Sequence, residues 1–197
     1  MKVDMSVPFD RSFNRNFDLS ERTILQATMS ETASIFENIP YSWDNADQGT
    51  GFGDIGGDIW SCWSFLNVTI PQDVTITKAT MVWKPSTDPD TISADLLFDC
   101  EKDATPVDVT NTTPLNRPYQ DSFVWTTAND TITGLTLTGD EEYTYNIVID
   151  PAIFQECIDL GGWNRKFNLR GRAPDTPSNT WVGQRDIASL IVEYYEN

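Results

Sequence analysis

Between Trp60 and Lys84 the chain reads WSCWSFLNVTIPQDVTITKATMVWK, a run of β-branched and aromatic residues broken once, at Pro71-Gln72-Asp73. Such residues suit a pleated, half-buried surface. Proline cannot donate to a sheet ladder and aspartate favours turns, so the stretch reads as strand, turn, strand: a central hairpin. Trp63, Phe65, Val68 and Ile70 carry the apolar content of the first strand. In the second, Val74, Ile76, Lys78, Thr80, Val82 and Lys84 alternate with Thr75, Thr77, Ala79, Met81 and Trp83, and neither set is purely polar. The alternation establishes a strand without saying which side is buried.

Runs of the same kind recur along the chain. Arg22–Ala27, Thr32–Glu37, Ser93–Cys100, Ser122–Thr127, Thr131–Thr138, Tyr143–Ile149, Lys166–Arg172, Thr180–Val182 and Ala188–Tyr195 all read as short strands. The period changes at one place. Asp150 is suited to an N-cap, Pro151 to the first helical position, and Gly161-Gly162 to the end of a helix over about residues 151–160. Short strands at fairly regular spacing, one short helix and no alternation of strand with helix predict an all-β, antiparallel, two-sheet sandwich. Seven Trp and ten Phe in 197 residues are ample for its core.

Thirty acidic against thirteen basic residues give a formal charge of −17 with no histidine. That surface repels phosphates, so nucleic acid and anionic membrane are disfavoured as partners. Lack of histidine removes the usual general base at neutral pH, and with it Ser-His-Asp and Cys-His arrangements. Carboxylate pairs such as Asp88/Asp90 and Glu141/Glu142 fall in turn contexts without an apolar pocket to raise one pKa. No enzyme activity is expected. Cys62, Cys100 and Cys157 form no CxxC pair and read as small buried thiols.

Residues 1–20 stand apart from the predicted sandwich at 21–197. Phe9, Phe13 and Phe17 recur at every fourth position, with Arg11 and Arg15 two places after the first two. Three phenylalanines are costly to leave in water, at roughly 25 cal/mol per Å². The segment therefore reads either as a docking arm for a partner or as a piece folded back on its own domain. It lacks the apolar core of a secretory signal, and no run reaches transmembrane length. Synthesis in the cytoplasm without a signal peptide is expected.

Three further candidate sites emerge. Ser42–Asp58 is a long glycine- and aspartate-rich loop in which Asp44, Asp47, Asp54 and Asp58 could hold calcium, although the spacing is not that of an EF-hand. No other cofactor is implied. Trp43, Trp60 and Trp181 lie in or beside loops and are candidates for stacking on a glycan, with core packing as the alternative. Arg165, Lys166, Arg170 and Arg172 concentrate basic charge and read either as partners of nearby carboxylates or as a site for an anion or an acidic sugar.

The run Phe65-Leu66-Asn67-Val68-Thr69-Ile70-Pro71, then Ile76-Thr77-Lys78-Ala79, then the short helix with Gly162-Trp163, and finally Leu190-Ile191-Val192-Glu193-Tyr194 span about residues 42–195. In this order they resemble jelly-roll β-sandwich modules of phage structural and bacterial surface proteins, the DNRLRE-type and carbohydrate-binding-like sandwiches. The chain departs from that pattern at Trp63-Ser64 and at Asp73-Val74. The resemblance implies a jelly roll and a non-enzymatic module for assembly or surface recognition, and transfers no catalytic residue. Two functions are expected from it. One is a phage virion protein: a capsid decoration, head-fibre or tail-associated sandwich, self-associating and held to a major capsid or tail protein through its N-terminal arm. The other is a module that binds cell-surface glycans.

Overall fold

The structure, a computed structural model, describes residues 23–39, 43–44, 50–54, 58–87, 90–106, 123–177 and 179–197. Among the described residues, twelve strands and one helix follow one another: β1 (Leu25–Ser30), β2 (Ala33–Ile39), β3 (Trp43–Asp44), β4 (Gly51–Asp54), β5 (Asp58–Phe65), β6 (Val74–Trp83), β7 (Thr91–Cys100), β8 (Asp130–Thr138), β9 (Tyr145–Ile149), α1 (Pro151–Ile158), β10 (Phe167–Arg172), β11 (Thr180–Gly183) and β12 (Ser189–Glu196). They form a four-stranded sheet in the order β1-β12-β6-β9 and an eight-stranded sheet containing the path β11-β4-β5-β10-β7-β8, in which β2 pairs β5 and β3. Every pairing is antiparallel.

Eight of these strands define the fold. Taken in chain order as β1, β5, β6, β7, β8, β9, β10 and β12, the first pairs the last, the second pairs the seventh, the third pairs the sixth and the fourth pairs the fifth. That nesting is a long antiparallel ribbon. The pairings β12–β6 and β10–β7 roll it into two sheets. The result is a jelly roll. Strands β2–β4 are inserted before its second strand and β11 before its last, and both insertions extend the larger sheet.

This topology corrects the expectation of a central hairpin. β5 and β6 are strands, but they belong to different sheets, because β6 has both edges occupied by β12 and β9. Residues 66–73 cross the end of the sandwich instead. Val68 and Ile70 are buried in the crossing, Val68 N–H donates to the Arg165 carbonyl at 2.9 Å, and Asn67 and Asp73 take positive φ at its two corners.

The ambiguous faces of β6 have a local cause. Val74 and Ile76 point inward, and so do Ala79, Met81 and Trp83, whereas Thr77 and Lys78 are both exposed. A register shift opposite, between Glu193 and Tyr194 of β12, marks the β-bulge that resets the phase.

Two more expectations change. The glycine-rich stretch read as a loop contains β4, where a side chain at Gly51 would lie 2.4 Å from the Val182 carbonyl oxygen and 2.6 Å from the Trp181 ring. Glycine is there for close approach of β11, not for a turn. Ser122–Thr127 is reduced, among its described residues, to a single bridge from Trp125 to Glu101.

The core runs between the sheets. Phe52, Trp63, Trp83 and Phe98 pack ring against ring at 5.4–6.5 Å, and Phe154, Trp163 and Phe167 form a second cluster. α1 closes the side of this second cluster, burying Ile153, Phe154, Cys157 and Ile158. Asp150 caps it by accepting from Ala152 N–H. Gln72 donates to the carbonyls of Ile158 and Leu160 at the other end. Gln155 bonds the β6 backbone, accepting from Ile76 N–H and donating to the Val74 carbonyl.

On the outer face of the four-stranded sheet, register sets Thr28, Ile191, Thr80 and Val148 in one row, with Ser30, Ser189, Val82 and Asn146 in the next. Gln26, Glu193 and Lys78 form a third.

Candidate functional site

β10 is buried on both faces. Phe167 and Leu169 point into the core, so the strand's alternation sends Asn168, Arg170 and Arg172 to the outer side of the eight-stranded sheet. Pairing places Ser64, Cys62 and Trp60 of β5 beside them on one flank. On the other flank stand Asp99 and Leu97 of β7.

Arg170 organises this face. Its Nε donates to Asp99 Oδ1 at 2.7 Å and its Nη2 to Asp99 Oδ2, a bidentate pair. The guanidinium carbon lies 3.6 Å from the centroid of the Trp125 ring and 4.2 Å from that of Trp60. Arg172 lies over the same Trp60 ring at 4.4 Å. Trp125, Arg170, Trp60 and Arg172 thus form a connected series of cation–π contacts. The side chains of Arg170 and Asp99 are only 10% and 19% exposed. A planar guanidinium satisfies both demands at once, chelating a carboxylate in its plane and stacking through its faces.

Next to this series the polar groups are buried and bonded. Asn168 Nδ2 donates to Glu101 Oε2 at 2.6 Å, and Ser64 Oγ donates to Asn168 Oδ1 at 2.8 Å. Lys166 Nζ donates to the Pro106 carbonyl at 3.1 Å. Burial, followed by the charge of Glu101, pushes the Cys62 thiol well above its ordinary range. The Cys100 thiol is raised for the same leading reason, with Cys157 beside it as a further cause.

The segment carrying Trp125 is tied down from α1. Glu156 accepts from Thr127 N–H at 3.0 Å, Ala128 N–H at 2.6 Å and Lys102 Nζ at 2.8 Å. The Lys102 hydrogen bond leads in holding the Glu156 carboxyl below its usual value, against the opposing effect of desolvation.

A cleft of about 260 Å³ opens on this face, lined by Trp60, Leu97, Phe98, Asp99, Asn129, Arg170 and Arg172. A half-buried indole beside guanidinium and amide donors can pack against a sugar ring while those donors bond its hydroxyl or carboxylate oxygens.

Of the tryptophans singled out from sequence, Trp60 stands in this cleft. Trp181 does not line it; its ring lies over Gly51 and its backbone N–H donates to Asp90 Oδ2 at 3.0 Å. The side chain of Trp43 lies outside the described residues, as do Phe9, Arg11, Phe13, Arg15 and Phe17. The same holds for Asp47 and for the side chains of Asp44 and Asp58. Asp54 is half-buried on β4, where its backbone pairs Asp58. Among the described residues, no group of three or more acidic, cysteine or histidine side chains is placed to hold a metal. The basic run does not form one patch. Lys166 is buried, Arg165 sits in an exposed left-handed turn, and Arg170 and Arg172 share the outer face. All three cysteines are free and buried.

Sequence reasoning did not assign Trp125, Asp99 or Asn129 to a site. The signal for Asp99 was an acidic residue on a strand whose alternation turns it outward, opposite Arg170. Trp125 carried no such signal, since its position follows from its bridge to Glu101 and from the Glu156 tether on the residues after it.

No family model matches the chain, and no curated protein matches it. Among solved structures it is similar to the unassembled KI polyomavirus VP1 pentamer, with 11% identity over 99% of this chain and 98% of that chain at a TM-score of 0.29. The jelly-roll assignment rests on the strand pairings above and not on that likeness.

Proposed function

We propose that this chain is a non-enzymatic structural protein of a virus particle, of the phage type: a capsid decoration, head-fibre or tail-associated jelly roll, anchored through residues 1–20 to a major capsid or tail protein. The observation that carries this reading is the complete jelly-roll pairing together with the use of its polar side chains. Arg170, Asp99, Asn168 and Glu156 are all engaged in bonds that hold strands and loops in place. Jelly rolls serve both capsids and lectins, and fold alone does not decide between them. The acidic surface suits a protein that stays soluble until it meets its scaffold, and symmetric self-association is expected on a symmetric particle. The virion would then be its location. The test is co-sedimentation with purified particles. Full-length protein is expected to pellet with them, and protein lacking residues 1–20 is expected to stay folded and remain in the supernatant. A truncated protein that still pellets would overturn the anchoring role.

A second reading, glycan binding, is favoured by one observation: Trp60 lies half-buried in the cleft beside Arg170, Arg172 and Asn129. Binding on a glycan array that Trp60→Ala abolishes would support it. A blank array across acidic and neutral glycans would retire it.

A further inference from the structure

The registered rows on the outer face of the four-stranded sheet hold one lysine and one glutamate, so they carry no net charge, although the chain carries −17. Its central row, Thr28, Ile191, Thr80 and Val148, is uncharged from edge to edge, and Val148 is 54% exposed. Beside it, Lys78 and Glu193 stand opposite each other on the two middle strands, 3.3 Å apart.

We propose that this face is the docking surface for a second copy of the chain, the two four-stranded sheets packing face to face about a twofold axis. The charge distribution selects the occupant. A basic partner would be drawn to the acidic remainder of the surface. A copy carrying the same large negative charge is repelled there and meets least repulsion on the neutral face.

The pattern is also self-complementary. Consider a twofold axis running along the strands, midway between β12 and β6 and between the two sheets. It sets Glu193 of one copy over Lys78 of the second copy, and the reverse, so the four charges alternate in sign. The same axis sets Ile191 over Thr80 of the second copy and Thr28 over Val148 of the second copy. Such an isologous contact closes at two copies. Four strands at ~4.8 Å spacing and about six residues at ~3.4 Å give a footprint of roughly 400 Å² per copy. At roughly 800 Å² for the two copies together that is below the range of stable specific interfaces, so the dimer is weak and transient.

The test is sedimentation equilibrium of the full chain from about 1 µM to about 1 mM, at low and high salt. A monomer–dimer equilibrium is expected, and it should tighten as salt rises, because screening removes the repulsion between two acidic molecules. Thr80→Glu and Val148→Glu should each weaken dimerisation at least about tenfold. Thr136→Glu, which adds the same charge on exposed β8 of the other sheet, should not. Circular dichroism melts establish that the variants are folded. A monomer under every condition would overturn the proposal, as would a dimer that Thr80→Glu and Val148→Glu leave intact, or one that Thr136→Glu weakens equally. The inference stands apart from the particle reading: a dimer that ignores particles would keep it and sink that reading.

Discussion

The side-chain oxygen of Gln184 accepts the indole N–H of Trp63 at 2.6 Å. It also accepts from Trp83 Nε1 at 3.0 Å and Thr50 Oγ1 at 2.7 Å, while its amide nitrogen donates to Glu31 Oε2 at 2.7 Å. Indole can only donate and carboxylate can only accept, which fixes the orientation of the amide. Trp63 lies on the larger sheet and Trp83 on the smaller, so one side chain bonds the two core indoles across the sandwich. Replacing Gln184 with leucine strands two indole N–H groups away from water. Gln184→Leu is expected to cost about 3 kcal/mol, read as a drop in Tm of roughly 6–12 °C. A melt within 2 °C or so of the native protein would contradict this role.

The three thiols should be silent in the folded state. Burial raises Cys62 and Cys100 well above the ordinary thiol range, so thiolate is scarce at neutral pH, and all three are shielded. A colorimetric disulfide reagent at pH 8 should label none of them in native buffer and all of them in denaturant. Rapid labelling of Cys62 without unfolding would show that the outer face opens, and of Cys100 or Cys157 that the core does.

Glu156 supplies a pH dependence of known sign. Its folded pKa is depressed, with the Lys102 hydrogen bond the leading cause, so on acidification the unfolded chain takes up this proton first. The stability it contributes is complete above the unfolded carboxyl pKa and is lost as pH falls through the folded value. The urea midpoint should therefore fall as pH is lowered from 6 toward 3, and part of that fall should be missing in Glu156→Gln. At pH 7, Glu156→Ala leaves Thr127 and Ala128 N–H without their acceptor and is expected to cost on the order of 1–3 kcal/mol. Acrylamide quenching of tryptophan emission should rise as Trp125 loosens.

What was legible in the sequence, and what was not, follows from the range of each cause. β7, β8, β9, α1 and β12 could be read because their alternation or caps are local. The two faces of β6 could not, since a bulge facing Glu193 and Tyr194 resets its phase, and that partner lies more than a hundred residues away. The central strand pair was read as a hairpin because Pro71-Asp73 marks a chain break equally well for a turn within one sheet and for a crossing between two. β4 was hidden because its glycines answer to the Trp181 ring and to the carbonyls of Val182 and Thr180, not to local turn geometry. At the candidate site, Trp60 and Arg170 drew attention as residue types. Their stacking with Trp125 depends on its bridge to Glu101 and on a tether from α1, and no spacing encodes either.

Arg170 and Asp99 offer the sharpest test of the outer face. The pair is largely withdrawn from water, so its attraction offsets the desolvation of two charges, and removing either partner strands the other. Asp99→Leu leaves a guanidinium between Trp60 and Trp125 without its carboxylate and is expected to cost about 3–5 kcal/mol. Arg170→Lys keeps the charge but loses the bidentate bond and the flat surface on which both indoles stack, so it should cost about 2 kcal/mol and not be neutral. Arg170→Met with Asp99→Leu removes both charges while keeping apolar volume against the two rings. It should cost less than Asp99→Leu alone, giving a coupling of 2 kcal/mol or so in a double-mutant cycle measured by urea unfolding. Strictly additive costs would mean that the two residues do not act as a unit, and that the indoles are held by their backbone rather than by the cation between them.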